Sequence, residues 1–366
     1  MLGLDLWEKL FDALPFGVQI IFIGDINQLP PVFGPSILNF ALVQLPVVEL
    51  TEVYRNQGII LENAHAILNG EAPIETEKWQ IIQGKSEVQV GQEKMASALG
   101  AMFKNMYFQR DNLGRRVYDP EDCMIISPFN VKALGTDNMN LHIAQFLGEE
   151  RGAVVHEVIS GFNRLYLAEG DRIMYDKRDA VITKITRNTK YYGKEPQAPG
   201  TDLSRFGVRV IGAGNKAEAL DFDELKLDYS NFDIDALAEE KAERKQQCSH
   251  LIDLEFVDGG FTTLESAGDF TPQIFSLGYV LTGHKAQGSE WRKVFCILHK
   301  DHAISLYREW FYTVATRPRE HFVVFGKKFL VEKAVKNQRI KGRTLADKIA
   351  FFNNGVTNVQ EVFCTK

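Results

Sequence analysis

Leu4, Leu6, Leu10, Phe11 and Leu14 recur at mixed three- and four-residue spacings, which predicts an amphipathic helix over residues 4–14. Gly17 then precedes the run Val18 to Ile23, apolar on both faces apart from Gln19, the pattern of a strand buried in the middle of a sheet. The run stops at Gly24-Asp25, and the loop Gln28-Leu29-Pro30-Pro31-Val32-Phe33-Gly34-Pro35 follows. Prolines end the strand there, so polar groups stand at a strand terminus, where open α/β sheets bind ligands. A second apolar stretch, Val47 to Leu50, leads into Thr51-Glu52-Val53-Tyr54-Arg55-Asn56, and a helix is predicted over Ile59 to Leu68. Cys123 to Ile126 predicts a short strand running into Ser127-Pro128-Phe129-Asn130. Thr136 to Leu147 has helical spacing with Asp137 near its start, and Phe322 to Phe325 predicts a late strand.

Between these α/β stretches the texture changes. Arg172 to Tyr175, Ala180 to Ile185 and Gly207 to Ile211 cluster β-formers among Gly, Asn and Pro, which predicts an inserted β-rich module. Asp233 to Gln247 holds helix formers with a weak apolar face and reads as an exposed helix on that insertion. No internal repeat is present.

Composition narrows the class. A chain of 366 residues has room for two compact domains, or for one with an appendage. It is 45% hydrophobic and 25% charged, with no apolar run near the ~20 residues of a membrane span and no secretory-type start after Met1, so a soluble, cytoplasmic protein is expected. The four cysteines are widely spaced and form no Cys-x-x-Cys pair, which points to reduced thiols. The net charge is −6, yet Val280 to Leu345 carries 14 Lys/Arg against 5 Asp/Glu, while Glu218 to Lys245 carries 10 acids against 4 bases. A basic surface facing a polyanion and a merely solvated surface both fit the first region.

The densest polar segment runs from Tyr279 to Trp291 (Tyr-Val-Leu-Thr-Gly-His-Lys-Ala-Gln-Gly-Ser-Glu-Trp), an apolar strand emptying into hydrogen-bonding side chains around glycine. That suits contacts to phosphate, ribose or base. Arg308 to Arg319 sets arginines on both sides of an apolar turn. Three other segments resemble known sites without their context. Gly84-Lys85-Ser86 lacks the first glycine of a phosphate loop, since Trp79 stands there, and reads with Lys78 to Gln83 as a hairpin or loop. Gly212-Ala213-Gly214-Asn215-Lys216-Ala217 precedes a polar, acidic stretch unlike a dinucleotide-binding helix and reads as a β-turn, and His299-Lys300-Asp301-His302 has no further metal-ligand cluster and reads as a loop.

Four segments taken in order resemble the motifs of superfamily 1 DNA helicases of the RecD-like, 5′-to-3′ branch. Gly24-Asp25-x-x-Gln28-Leu29-Pro30-Pro31-Val32 is similar to motif III, Leu50 to Asn56 to motif IV, Leu281 to Glu290 to motif V, and Tyr312 to Arg317 to motif VI. Ser127 to Asn140 and Gly170-Asp171-Arg172-Ile173-Met174 also fit, the latter opening a small β-barrel insertion in the family. The resemblance covers most of the chain, and is thin from about Lys78 to Pro120 and across the acidic insertion.

It implies an α/β fold: the end of a first RecA-like lobe (1–56), a second RecA-like parallel-sheet lobe in two parts (57–169 and 266–366, the latter with a basic C-terminal region), and an inserted β-barrel-like module (170–265). Phosphoryl transfer to water needs a placed nucleophile and positive charge at the γ-phosphate. By resemblance Gln28 would sense that phosphate or its water, and Arg55 and Arg317 would be arginine fingers. Asp25, Gly288 and Glu290 would lie by the nucleotide, the Glu290 carboxylate accepting from ribose hydroxyls. Thr282, His284 and Lys285, with Ser127, Pro128 and Asn130, would face single-stranded DNA. ATP and Mg²⁺ are the implied cofactors.

Two departures stand out. Arg317-Pro318-Arg319 replaces the family's Arg-Ala-basic pattern, so the helix before it is expected to stop early. No Gly-x-x-x-x-Gly-Lys followed by Ser or Thr occurs, and the chain reads as beginning just after the family's Mg²⁺-holding acids. The metal ligands are then expected in a missing N-terminal portion, joined in cis or in trans, and the isolated chain is expected to lack ATPase activity. The alternative is a non-catalytic nucleic-acid- or partner-binding remnant of a helicase.

Overall fold

A computed structural model of the chain describes residues 4–31, 36–50, 57–83, 96, 99, 109–110, 116–117, 123–161, 163–188, 209–211, 226–228, 249–266, 273–302 and 305–364. The elements begin with helices α1 (Leu4–Ala13), α2 (Ile37–Gln44) and α3 (Ile59–Asn69), strands β1 (Trp79–Ile82) and β2 (Cys123–Ser127), and helix α4 (Thr136–Arg151). Seven strands follow: β3 (His156–Ser160), β4 (Asn163–Leu167), β5 (Arg172–Tyr175), β6 (Arg178–Arg187), β7 (His250–Phe256), β8 (Phe261–Ser266) and β9 (Phe275–Leu277). The chain closes with β10 (Val280–Thr282), β11 (Trp291–Ile297), α5 (Arg308–Ala315), β12 (Pro318–Phe325), α6 (Lys328–Lys336) and α7 (Leu345–Cys364). Arg209–Ile211 and Lys226–Asp228 pair as a short antiparallel ladder. No helix among the described residues is long and apolar enough to cross a membrane.

The chain divides into two units, residues 1–143 with 279–366, and residues 144–278. The first is a mixed α/β unit on a five-stranded parallel sheet, ordered β1-β12-β11-β2-β10. Its central strands are near-continuous apolar runs because helices cover the sheet, and Met124, Ile125, Phe295, Cys296, Phe322 and Val324 are all buried. Burial pushes the Cys296 thiol well above its ordinary range, so it is an inert packing group. The buried amide of Asn140 donates to the Val280 carbonyl (2.9 Å) and accepts the Val280 N–H (2.8 Å), fastening the start of α4 to the edge strand β10.

In the second unit β8-β7-β6-β5-β9 form an antiparallel sheet and β3 pairs with β4. The described strands form a sheet and a separate hairpin, and no pairing among them closes the barrel-like module expected. The Gly170–Arg172 segment enters it through charge pairing. The buried Asp171 carboxylate accepts from the Ala168 N–H (2.8 Å) and Arg151 (2.6 Å), while Arg172 makes two bonds to Asp179 (2.7 and 3.2 Å).

Two expectations are corrected. Val18 to Ile23 is not a buried strand; it has no ladder partner among the described residues, and Val18, Ile21 and Ile23 are 47, 75 and 89% exposed. An apolar run becomes a central strand only when neighbours cover both its edges. Lys78 to Gln83 is not a hairpin or loop: Trp79–Ile82 is the edge strand of the parallel sheet, held by the buried Trp79 ring against Phe322 (centroids 4.4 Å apart). Gly84-Lys85-Ser86, Gly212 to Ala217 and Asp233 to Gln247 lie outside the described residues.

Candidate functional site

The first unit gathers three polar segments. Residues 24–31 form a tight loop in which the Asp25 carboxylate accepts from the Asn27 N–H (2.8 Å) and the Gln28 Nε2 (3.0 Å). This turn aims the Gln28 amide back at Asp25. The Leu29 N–H donates to the buried Thr313 hydroxyl on α5 (2.9 Å), and Gln287 Nε2 donates to the Leu29 carbonyl (3.0 Å). A cavity of about 510 Å³ opens beside the loop, with Asp25, Gln28, Leu29, Ser36, Gln287 and Ile340 in its wall.

The second segment follows β10. Residues 283–288 turn back on themselves, with the Ala286 N–H donating to the Thr282 carbonyl (2.9 Å) and the Lys285 N–H to its hydroxyl (3.3 Å). Gly283 is required here by close approach, because a Cβ would lie 2.6 Å from the Trp310 indole nitrogen and 3.3 Å from Leu29. Gly288 closes the turn at φ 89°. Thr282 is buried, His284 half-buried and Lys285 exposed. Burial, and then the Arg339 guanidinium, hold the His284 imidazole below its ordinary range, so it is neutral near pH 7.

The third segment is α5 and the turn after it. The helix ends at Ala315, capped by Thr316, and β12 begins at Pro318. Proline bars continuation of the helix, as expected, and leaves Arg317 in the turn, 2% exposed. Its guanidinium donates to the Thr313 carbonyl (2.9 Å), the Ser289 carbonyl (3.2 Å) and the Thr316 hydroxyl (3.0 Å). A rigid fork satisfies all three at once, which lysine's single ammonium would not do. Burial, and then the nearby Asp25 carboxylate, push the Tyr312 phenol far above its ordinary range, while Arg317 opposes. Asp25, Tyr312 and Arg317 therefore share one electrostatic neighbourhood, and Ser289 ties Arg317 to the turn carrying Gly288 and Glu290.

The loop carrying Asp25 and Gln28 and the turn holding Arg317 are thus joined through Leu29, Thr313, Gln287 and Ser289; Gly288 and Glu290 flank Ser289 in the chain, and Thr282, His284 and Lys285 lie on the same turn. Arg55 lies outside the described residues. Ser127 is fully buried, and its hydroxyl donates to the Leu134 carbonyl (2.6 Å), so it holds the 127–136 loop and does not face solvent. Pro128 is half-buried; Asn130 is exposed, and its side chain accepts from the Thr136 hydroxyl (3.0 Å).

Among the described residues no group of three or more His, Cys, Asp or Glu side chains is placed to hold a metal ion. His302, read as part of a loop, lies in a single 3-10 turn, Lys300–His302. It is 1% exposed, its ring meets Phe129 edge-on at 5.1 Å, and its Nδ1 has no hydrogen-bond partner among the described residues. Burial, helped by His299 and Lys132 against Asp301, lowers its pKa to about 4. The unfolded imidazole protonates near 6.5, so as pH falls from about 6.5 to about 4 the unfolded state takes up the proton first, and stability drops by about 1.4 kcal/mol per unit from this group. His302→Leu is expected to flatten the dependence of melting temperature on pH in that window. An unchanged slope would mean that His302 is not buried neutral.

Sequence reasoning passed over Glu309 and Lys348. Buried Glu309 accepts the N–H groups of Arg339 (3.0 Å) and Ile340 (2.7 Å), and buried Lys348 donates to the Asn27 side-chain oxygen. The available signal was a charged residue on an apolar face: Leu345, Lys348, Ile349 and Phe352 share one side of α7.

Residues 277–325 match the UvrD-like helicase C-terminal domain. The chain is 27% identical over 341 residues to the ATP-dependent RecD2 DNA helicase of Deinococcus radiodurans, covering 93% of this chain and 37% of that protein. It thus spans little more than a third of that relative's length. Among solved structures it is similar to Bacteroides Pif1 bound to single-stranded DNA (TM-score 0.41, 14% identity, 86% of this chain and 64% of that one). It is also similar to the Pif1 helicase of Candida albicans (TM-score 0.42, 13% identity, 92% and 67%).

Proposed function

We propose that this chain supplies the C-terminal part of an ATP-dependent DNA helicase that moves 5′ to 3′ along single-stranded DNA in the cytoplasm. The observation that carries the proposal is the convergence of the Asp25–Gln28 loop, the Thr282–Glu290 turn and Arg317 in one unit, tied by the Thr313–Leu29, Gln287–Leu29 and Arg317–Ser289 hydrogen bonds. A carboxamide held by a carboxylate, a buried fixed guanidinium and a glycine turn beside a carboxylate are the donor types that a nucleotide's phosphates and ribose require. ATP, when bound, supplies the free energy of phosphoryl transfer. Gln28 would orient the attacking water or the γ-phosphate, Arg317 and Arg55 would offset charge on it, and Glu290 would accept from the ribose.

The phosphate cradle and the Mg²⁺ ligands are assigned to an N-terminal portion of the complete protein, joined in cis or in trans. Residues 1–56 would complete a first RecA-like lobe with it; 57–169 and 266–366 would form the second lobe, and 170–265 its insertion.

Thr282, His284 and Lys285 would bind the DNA backbone, with the basic segment around Arg339 and Lys341 beside them. A neutral, half-buried imidazole suits hydrogen bonding or stacking, and the exposed lysine suits a phosphate. Titration of a fluorescent single-stranded oligonucleotide at several salt concentrations tests this. Each phosphate contact contributes a slope of roughly −0.7 in log affinity against log salt. His284→Ala with Lys285→Ala is expected to weaken binding and make the slope shallower by about one contact. Binding that ignores both changes, or none at low salt, would remove the turn from the interface.

A further inference from the structure

Lys348 projects from α7 into the first unit and is 5% exposed. A lysine is rarely buried without a partner, because desolvating its ammonium costs more than packing returns. Its partner is the side-chain oxygen of Asn27, the residue before Gln28. Burial holds its pKa below the ordinary lysine value; the carboxylates of Glu309 on α5 and Asp25 in the loop oppose that, and Arg308 adds to it. The Asn27 backbone is in turn fixed by its N–H bond to Asp25 (2.8 Å). An ammonium supplied by α7 therefore holds the loop at Asn27, in addition to its Thr313 and Gln287 anchors at Leu29.

We propose that Lys348 is a positioning residue for Gln28: through Asn27 and the Asp25 carboxylate it holds the 25–29 turn in the single arrangement that directs the Gln28 side chain. The functional half of this statement rests on the helicase reading above, whereas the structural half does not. The clamp joins α7 to a loop more than 300 residues earlier in the chain. Glu309 on α5, whose charge acts on Lys348, also accepts two N–H groups from the 339–340 backbone.

The test has two arms. In the chain as it stands, Lys348→Met and Asn27→Ala are each expected to speed hydrogen exchange of the Asn27, Gln28 and Leu29 amides by about 10-fold or more, the scale for loss of a charge-assisted hydrogen bond. The double variant should add little to either single one. Unchanged exchange at these amides in both single variants overturns the clamp. If Lys348→Met instead unfolds the unit, Asn27→Ala decides, since it removes the acceptor and leaves the lysine in place. In the complete protein with its phosphate-binding portion, Lys348→Met should lower kcat for ATP about 10-fold with KM changed less than about twofold, because a misaimed Gln28 is felt in the transition state. A rise in KM alone would contradict positioning. If the complete protein hydrolyses no ATP while the exchange arm succeeds, the helicase reading fails and the clamp stands.

Discussion

Arg317→Ala, made in a protein that joins this chain to its phosphate-binding portion, is expected to lower DNA-stimulated ATP hydrolysis about 10³-fold or more, the scale associated with arginine fingers. The side chain is pinned by three hydrogen bonds, to Thr313, Ser289 and Thr316, so its charge is held in place before any nucleotide arrives. Arg317→Lys separates charge from geometry. It keeps the positive charge but cannot satisfy the three acceptors together, and it should recover only a small part of the lost rate. Hydrolysis measured with saturating ATP and single-stranded DNA checks both variants, with thermal melts to show that each is folded. If Arg317→Lys matches the parent, the fork geometry is irrelevant and Arg317 acts only as a diffuse charge.

The second large effect concerns stability. Gly135 sits where the 127–136 loop turns into α4, and a Cβ there would lie 2.2 Å from the Val131 carbonyl oxygen and 2.3 Å from that of Asn130. Both obstacles are backbone, so no rotamer change relieves them. Gly135→Ala should cost about 3 kcal/mol or more, roughly 6 to 12 °C in melting temperature. Gly148 in α4 is the internal contrast: a Cβ there meets nothing within 4 Å, so Gly148→Ala should stabilise by about 0.5–1 kcal/mol. Denaturant melts of the two variants check the pair. A tolerated Gly135→Ala would mean that the loop holding Ser127 and Asn130 is not built as described.

Local pattern was the most legible part of this molecule. Helices over Ile59–Asn69 and Thr136–Arg151 and strands over Arg172–Tyr175 and Cys123–Ser127 follow from spacings contained within each segment. Val18 to Ile23 carries the pattern of a central strand, but forming one depends on neighbouring strands that periodicity cannot see. Trp79–Ile82 is a strand only through its partner β12, some 240 residues later, which local pattern does not reveal. The roles expected of Asp25, Gln28, Glu290 and Arg317 come from the resemblance of the ordered polar segments, and what the fold adds is the set of bonds through Leu29, Thr313 and Ser289 that joins those segments. Lys348 and Glu309 are not legible in the sequence, because charged residues are expected at the surface and only the fold shows which are buried.

The helicase proposal stands or falls on mixing this chain with the proposed portion that carries the phosphate loop and the Mg²⁺-holding acids, and measuring ATP hydrolysis with and without single-stranded DNA. Little hydrolysis by either part alone, DNA-stimulated hydrolysis by the two together, and its loss with Arg317→Ala are expected. A stable, folded two-part complex that hydrolyses no ATP in the presence of DNA would contradict it.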